Sequence, residues 1–246
     1  MKMNTLARLL VSTAILVLPV HSMGQTSLDA ILADPSRPQE HRDQDTRRAT
    51  AQVLEFFNIG SGDRVADLLS GSGYYTRILV PLVGDAGQVY AGNNAFYARF
   101  FAEPFAALLE EPAFSSVIPI DGRVDELALP ADGSLDVVII SMAYHDVVLT
   151  DEDRNEMNLI VNRALRSGGV YGVIDHAAAP GSGTSATEAL HRIDEQVVID
   201  EVTAAGFELD AEADFLSNPD DDHTLSIFDE SIRGQTDRFV LRFTKP

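Results

Sequence analysis

The stretch VADLLSGSGYYT, residues 65–76, constrains this chain more than any other, because an apolar run holding one acid opens directly into a glycine turn. Val65, Ala66, Leu68 and Leu69 around Asp67 predict a short strand buried on both faces. Residues 75–83, with Gly84 behind them, predict a helix and its stop. Strand, glycine turn, helix is how a nucleotide-binding α/β unit begins. Gly71 and Gly73 let the backbone turn tightly and approach a ligand, and the helix start behind them offers unpaired N–H groups. An ordinary strand-to-helix turn carries the same signal, so the rest of the chain has to decide.

A length of 246 residues suits one α/β domain with short additions. Lys2 and Arg8 precede an apolar run at 9–20 and small residues at Ser22 and Gly24. That order predicts a secretory signal peptide over 1–24, N-terminal helices over 25–63 and the main domain over 64–246. The apolar run is too short to span a bilayer comfortably, and the chain has no cysteine for a disulfide or a lipid anchor. The expectation is an exported protein, periplasmic or secreted, without stable membrane insertion after cleavage. Lys and Arg number 18 against 38 Asp and Glu, a formal charge of −20. Such a surface repels nucleic acid and anionic lipid, although adaptation to salt would produce the same balance.

Further along, 27–34 reads as a short helical piece, 35–43 as a connector and 45–57 as a helix. Arg42, Asp43, Asp45, Arg47 and Arg48 read most simply as its solvated face. Strands are predicted at 88–92, 117–120, 135–141 and 170–174. An aromatic-rich helix at 95–109 should be interrupted at Pro104. Thr150 and Asp153 suggest a capping box for a helix whose Met157, Ile160, Val161, Ala164 and Leu165 form one apolar stripe. A loop at 177–185 leads to a single helix over 187–205, stopped by Gly206. Two closing strands, 207–215 and 239–244, flank an acidic loop that is long for a compact domain.

Five strands alternating with helices imply a doubly wound parallel sheet, whose ligands bind beyond the carboxyl ends of the strands. The chemistry-bearing residues sit at those ends: Asp67, Asn93, Asp121, His145, Asp175 and His176.

These segments, with DGSLDVVIISMAYHD and LRSGGVYGVIDH, resemble successive motifs of the class I S-adenosylmethionine-dependent methyltransferases. HRIDEQVVIDEVTAAGFEL and SNPDDDHTLSIFDESIRGQTDRFVLRF are similar to a family of exported bacterial predicted methyltransferases. The resemblance covers about residues 40–246. It implies a Rossmann-like seven-stranded sheet, mostly parallel with an antiparallel last strand, and S-adenosylmethionine across the ends of the first two strands. It also implies that Asp67, Gly71 and Gly73 lie under the methionine part, Asn93 near the ribose, and Asp121 with Gly122 beside the adenine. Leu69 stands where the motif usually has its first glycine, and Asn93 or Asn94 where it usually has an acid. A neutral amide can accept one ribose hydroxyl, but more weakly than a carboxylate.

Methyl transfer from a sulfonium needs chiefly an aligned nucleophile, and a base only if the acceptor is protonated. Tyr144, His145 and Asp146 follow the fourth strand, and His176 the fifth. His145 is the expected base, with His176 and Asp146 orienting it or the acceptor, a small molecule or an envelope component, in a metal-free site. His191 with Asp194 and Glu195 on one helical face could cover the same pocket, and these groups could instead hold a divalent metal. A different enzyme or a ligand-binding protein on this scaffold stays open, since fold alone does not decide.

Overall fold

The structure, a computed structural model, describes residues 27–246; the expected leader lies outside them. Three short helices come first: α1 (Leu28–Leu32), α2 (Gln39–Arg42) and α3 (Thr50–Phe56). The alternating part follows as β1 (Arg64–Leu68), α4 (Thr76–Val83), β2 (Gln88–Gly92), α5 (Ala95–Glu110), β3 (Ile118–Pro119) and β4 (Leu135–Ser141). Next come α6 (Tyr144–Val147), α7 (Arg154–Ala164), β5 (Leu165–His176), α8 (Thr187–Leu190) and α9 (Glu195–Ala204). The closing strands are β6 (Glu208–Ala213) and β7 (Arg238–Thr244).

The seven strands lie in the order β3-β2-β1-β4-β5-β7-β6, and β7 runs antiparallel to both of its neighbours. Alternation along each central strand sends residues to two separate cores. Ala66, Leu68, Val138, Ile140 and Val173 pack with Met157 and Val161 of α7 and Val198 and Val202 of α9. Val65, Val137, Ile139 and Ile174 face the other way and pack with Leu54 of α3 and Ile78 and Leu79 of α4. The N-terminal helices therefore share a core with the sheet. The strand order reverses between β1 and β4, and the crevice beyond that point is where a doubly wound sheet binds ligands.

Local structure departs from sequence expectation in several places: β5 begins at Leu165, a residue expected in the preceding helix, and α3 covers only Thr50–Phe56 of the helix expected over 45–57. Helix α5 runs through Pro104 without a break. Proline removes the bond to the Phe100 carbonyl, and this turn is exposed, so water can satisfy that oxygen. Asp153 alone caps α7, accepting from the Asn155 and Glu156 N–H groups, while Thr150 Oγ1 accepts from Glu152 N–H. The supposed connector at 35–43 contains α2. The single helix expected over 187–205 is two, broken at His191, whose φ of 54° is left-handed. The break turns Arg192 inward, where it is fully buried and bonded to the carbonyls of Ala177 and Leu225 and to Asp221.

Candidate functional site

A cavity of about 800 Å³ opens beyond the carboxyl ends of β1, β4 and β5, within the range of small-molecule sites. Its β1 side is the glycine turn. Asp67 is buried, accepts a hydrogen bond from Thr76 Oγ1 at 2.7 Å, and faces the cavity. Burial is the main influence on its carboxyl, pushed up to about 7 against the pull of the Thr76 hydrogen bonds. Such a group gains from a cationic partner.

Leu69 occupies the glycine position of the motif with φ of 51°, so the backbone takes the left-handed turn there without a glycine. Gly71 and Gly73 also have positive φ, but their surroundings differ. Gly71 lines the cavity, whereas a Cβ on Gly73 would meet the Leu108 side chain of α5 at 3.0 Å. Gly73 therefore lets α5 approach the turn, and it contributes nothing to the cavity wall. The turn is held from below by α2 and the segment after it. His41 Nε2 lies 3.1 Å from Ser72 Oγ, and Tyr74 donates to Asp45, which also pairs with both terminal nitrogens of Arg37. Arg48, expected in a solvated face, lines the cavity with its guanidinium 4.3 Å from the centre of the Tyr74 ring.

The opposite wall is a histidine–carboxylate group. His145 is 1% exposed, and its Nδ1 lies 2.7 Å from Asp175 Oδ1. Asp175 also accepts the backbone N–H groups of His145 and His176, which fixes the start of α6 against the end of β5. His145 Nε2 sits 3.2 Å from Asp146 Oδ1 without hydrogen-bond alignment, so this buried nitrogen has no hydrogen-bond partner. Asp146 is held by the Tyr97 hydroxyl at 3.0 Å and by His191 Nδ1 at 3.1 Å. His191 reaches it because of the left-handed break before Arg192.

Burial opposes a charge on His145, but Asp175 and Asp146 outweigh it and raise the imidazole to about 10. Burial likewise opposes the charge on Asp146, yet His145, Tyr97 and His191 hold its carboxyl below the ordinary value. His145 in the metal-free protein thus keeps both ring protons at neutral pH. A doubly protonated ring has no free lone pair, so His145 in this state does not fit the part of a base expected of it. His176 lines the cavity too, bonded through Nδ1 to Thr236 Oγ1 at 2.8 Å. Burial, followed by the nearby positive charges, keeps it well below the ordinary histidine value and therefore neutral.

Other expected site residues lie elsewhere. Tyr144 is fully buried in the core, its hydroxyl donating to Glu201 and accepting from Asn158. The Asn93 side chain is occupied by the glycine turn, accepting from Gly71 N–H at 2.9 Å and donating to Gly71 O at 3.0 Å. Asp121 accepts the Asn93 N–H, and Gly122 N–H donates to the Asn93 carbonyl, so these two brace the segment after β3 against the end of β2, outside the cavity lining. Asn94 caps α5 and donates to Glu152. Asp194 caps α9 and accepts the N–H groups of Gly181 and Gly183, so it does not face the histidines across a helical cover. Asp175 was the orienting carboxylate that sequence reading placed at a strand end without a role.

The mouth is aromatic. Phe96, Phe100 and Phe101 of α5 stand on one side, and Ile227 and Phe228 of the 214–237 loop on the other, with Phe228 against His191 at 4.8 Å between ring centres. Six non-glycine residues have left-handed φ among those described, and three of them, Leu69, Met142 and His191, line this cavity. Backbone strain concentrated at one cavity is a mark of a functional site.

No protein-family model matches the chain. A ubiquinone/menaquinone biosynthesis C-methyltransferase, UbiE, from Legionella pneumophila is 29% identical over 124 residues, which are 50% of this chain and 46% of that protein. The chain thus aligns with about half the length of that curated relative. The structure is similar to a SAM-dependent methyltransferase from Aquifex aeolicus, with TM-score 0.58, 17% identity, and 89% and 99% of the two chains covered. It is similar also to the [4+2]-cyclase SpnF, with TM-score 0.59, 17% identity, and 87% and 85% covered.

Proposed function

We propose that this chain, which has the fold of the class I S-adenosylmethionine-dependent methyltransferases, is itself such an enzyme and methylates a small apolar molecule bearing a nucleophilic oxygen, nitrogen or carbon. One observation carries the reading: the Asp67–Gly71 turn and the His145–Asp146 pair face each other across one cavity at the point where the strand order reverses. S-adenosylmethionine would supply a methyl group activated by its sulfonium. The residues present fit its methionine end. Asp67 offers a buried carboxylate to the ammonium, and Gly71 offers a wall without a side chain. The ribose end is less well provided for, because the Asn93 amide is spent on Gly71.

Acceptor recognition falls to the aromatic mouth, which suits an apolar or aromatic body. Asp146 would accept a hydrogen bond from the acceptor and so align it, with His145 and His191 holding its carboxylate in place. Positioning accounts for most of the rate in such a transfer, about 7–11 kcal/mol at best. SpnF, a [4+2]-cyclase on a similar fold, supports keeping a non-methylating reaction as the alternative.

Calorimetry with S-adenosylmethionine and with its demethylated product is expected to give saturable binding at one site. Gly71→Ala is expected to weaken both at least tenfold, because φ of 59° is a backbone conformation that L side chains rarely adopt and Gly71 lines the cavity. Absence of heat with either ligand at millimolar concentration would overturn the methyltransferase reading.

Export belongs to the same proposal and is supported by the charged, apolar, small-residue order of residues 1–24. Among the described residues no helix is long and apolar enough to cross a membrane. N-terminal sequencing of the protein from its native compartment should begin near Gln25; a start at Met1 would refute cleavage.

A further inference from the structure

We infer that His145, Asp146 and His191 form a binding site for one first-row divalent transition metal ion, zinc or ferrous iron in character, at the inner end of the cavity. The inference stands apart from the methyltransferase reading and deepens it only by suggesting what would hold the acceptor.

Each of the three residues offers a ligand atom, and these atoms all lie within 4.8 Å of one another. Ligands placed about 2.0–2.2 Å from a shared ion fall within that spread. Two imidazoles and one carboxylate suit zinc or iron, whereas magnesium and calcium prefer all-oxygen sets.

The orientation of His145 is the independent observation. Its Nδ1 is directed to the buried Asp175 carboxylate at 2.7 Å, the support that metal-bound histidines commonly have on the ring nitrogen away from the ion. Its Nε2 is buried, without a hydrogen-bond partner, and beside Asp146. A metal ion there would give this buried nitrogen the aligned partner it lacks.

Two further features fit. The left-handed backbone at His191 brings its ring to Asp146 when a continuous helix would have carried it elsewhere. All three side chains line the cavity, so the remaining coordination positions face the open space, the arrangement of a reactive site and not of a closed structural one. Those positions would take a hydroxyl or carboxylate oxygen of a small molecule. His176, nearby in the sheet, is not in the set because it does not bring a ligand atom within 4.8 Å of the other three.

The test uses the whole protein and needs no methyl donor. Chelator-treated protein is titrated with zinc, with ferrous iron under anaerobic conditions, and with magnesium, and the cobalt-substituted form is followed by its visible absorption. One equivalent of zinc or iron should bind with a dissociation constant below micromolar, and magnesium should bind at least a hundredfold more weakly.

His191→Ala, at a partly exposed position whose loss leaves the core intact, should weaken zinc at least a hundredfold and change the cobalt spectrum. Asp175→Asn should weaken it about 10–100-fold through the orientation of His145. His176→Ala should leave the affinity within threefold. No binding beyond that of exposed carboxylates, or full-affinity binding retained in His191→Ala, would overturn the site. Because neither arm involves S-adenosylmethionine, failure here and failure of the methyltransferase reading would be told apart.

Discussion

At pH 8, Asp67→Asn is expected to make the protein more stable by about 4 kcal/mol while weakening S-adenosylmethionine binding more than tenfold. Asp67 is buried and accepts one side-chain hydrogen bond, from Thr76, and burial dominates its environment, raising the carboxyl from 3.8 to about 7. A carboxyl whose folded value lies above its unfolded value binds protons more tightly in the native state. Stability is then greatest below about pH 4 and falls as pH rises towards 7, after which both states are ionised and the loss is complete. Each unit of such a shift is worth about 1.4 kcal/mol. Asparagine keeps an oxygen for Thr76 and has no charge to desolvate, so the variant should lack this slope. It also lacks the anion that the cofactor's ammonium would meet. Urea midpoints at pH 4 and pH 8, with calorimetry at pH 8, measure both halves. A variant less stable than wild type at pH 8 would show that the carboxylate is already compensated in the free protein.

Arg192→Met is expected to cost about 3–5 kcal/mol and to loosen the cover of the cavity. Arg192 and Asp221 are both 0% exposed and pair at 2.8 Å. The arginine also donates to the carbonyls of Ala177 and Leu225, so one buried side chain ties the end of β5 to the 214–237 loop. Asp221 in turn accepts the backbone N–H groups of His223 and Asp237. Removing the guanidinium leaves a buried carboxylate unpaired and two carbonyls without their donor. Combining it with Asp221→Asn should recover at least half the loss, because the uncompensated charge is gone while one carbonyl oxygen still serves the backbone.

Hydrogen exchange should rise across 214–237, where Ile227 and Phe228 form one side of the mouth. A loss below about 1 kcal/mol in Arg192→Met would contradict the account of this pair as the anchor of the loop.

How far the site was legible differs from residue to residue. Asp67, Gly71, His145, Asp146 and His176 are all in the cavity wall, and each could be found because a parallel strand points whatever follows it at the same edge. Asp175 ends β5 just as visibly, but its role as the support of His145 depends on how β5 lies beside β4. Tyr144 shows the opposite error. It adjoins His145 in sequence, yet in α6 it faces the core and bonds Glu201 and Asn158. Asn93 was placed by motif position, and only the turn's return to within 3.0 Å shows its amide to be engaged with Gly71.

By itself the sequence determined the strands, the glycine turn, the alternating order and the edge of the sheet where chemistry must lie. These follow from short-range patterns: period-two burial, glycine where φ is positive, apolar strands covered on both faces. Tertiary structure alone decided that the helix expected over 187–205 breaks at His191. Local propensity favours continuing that helix, and the burial of Arg192 against Asp221 and two carbonyls outweighs it. That long-range pairing puts Arg192 in the core and His191 against Asp146, which brings two histidines and a carboxylate together from segments 45 residues apart in the chain.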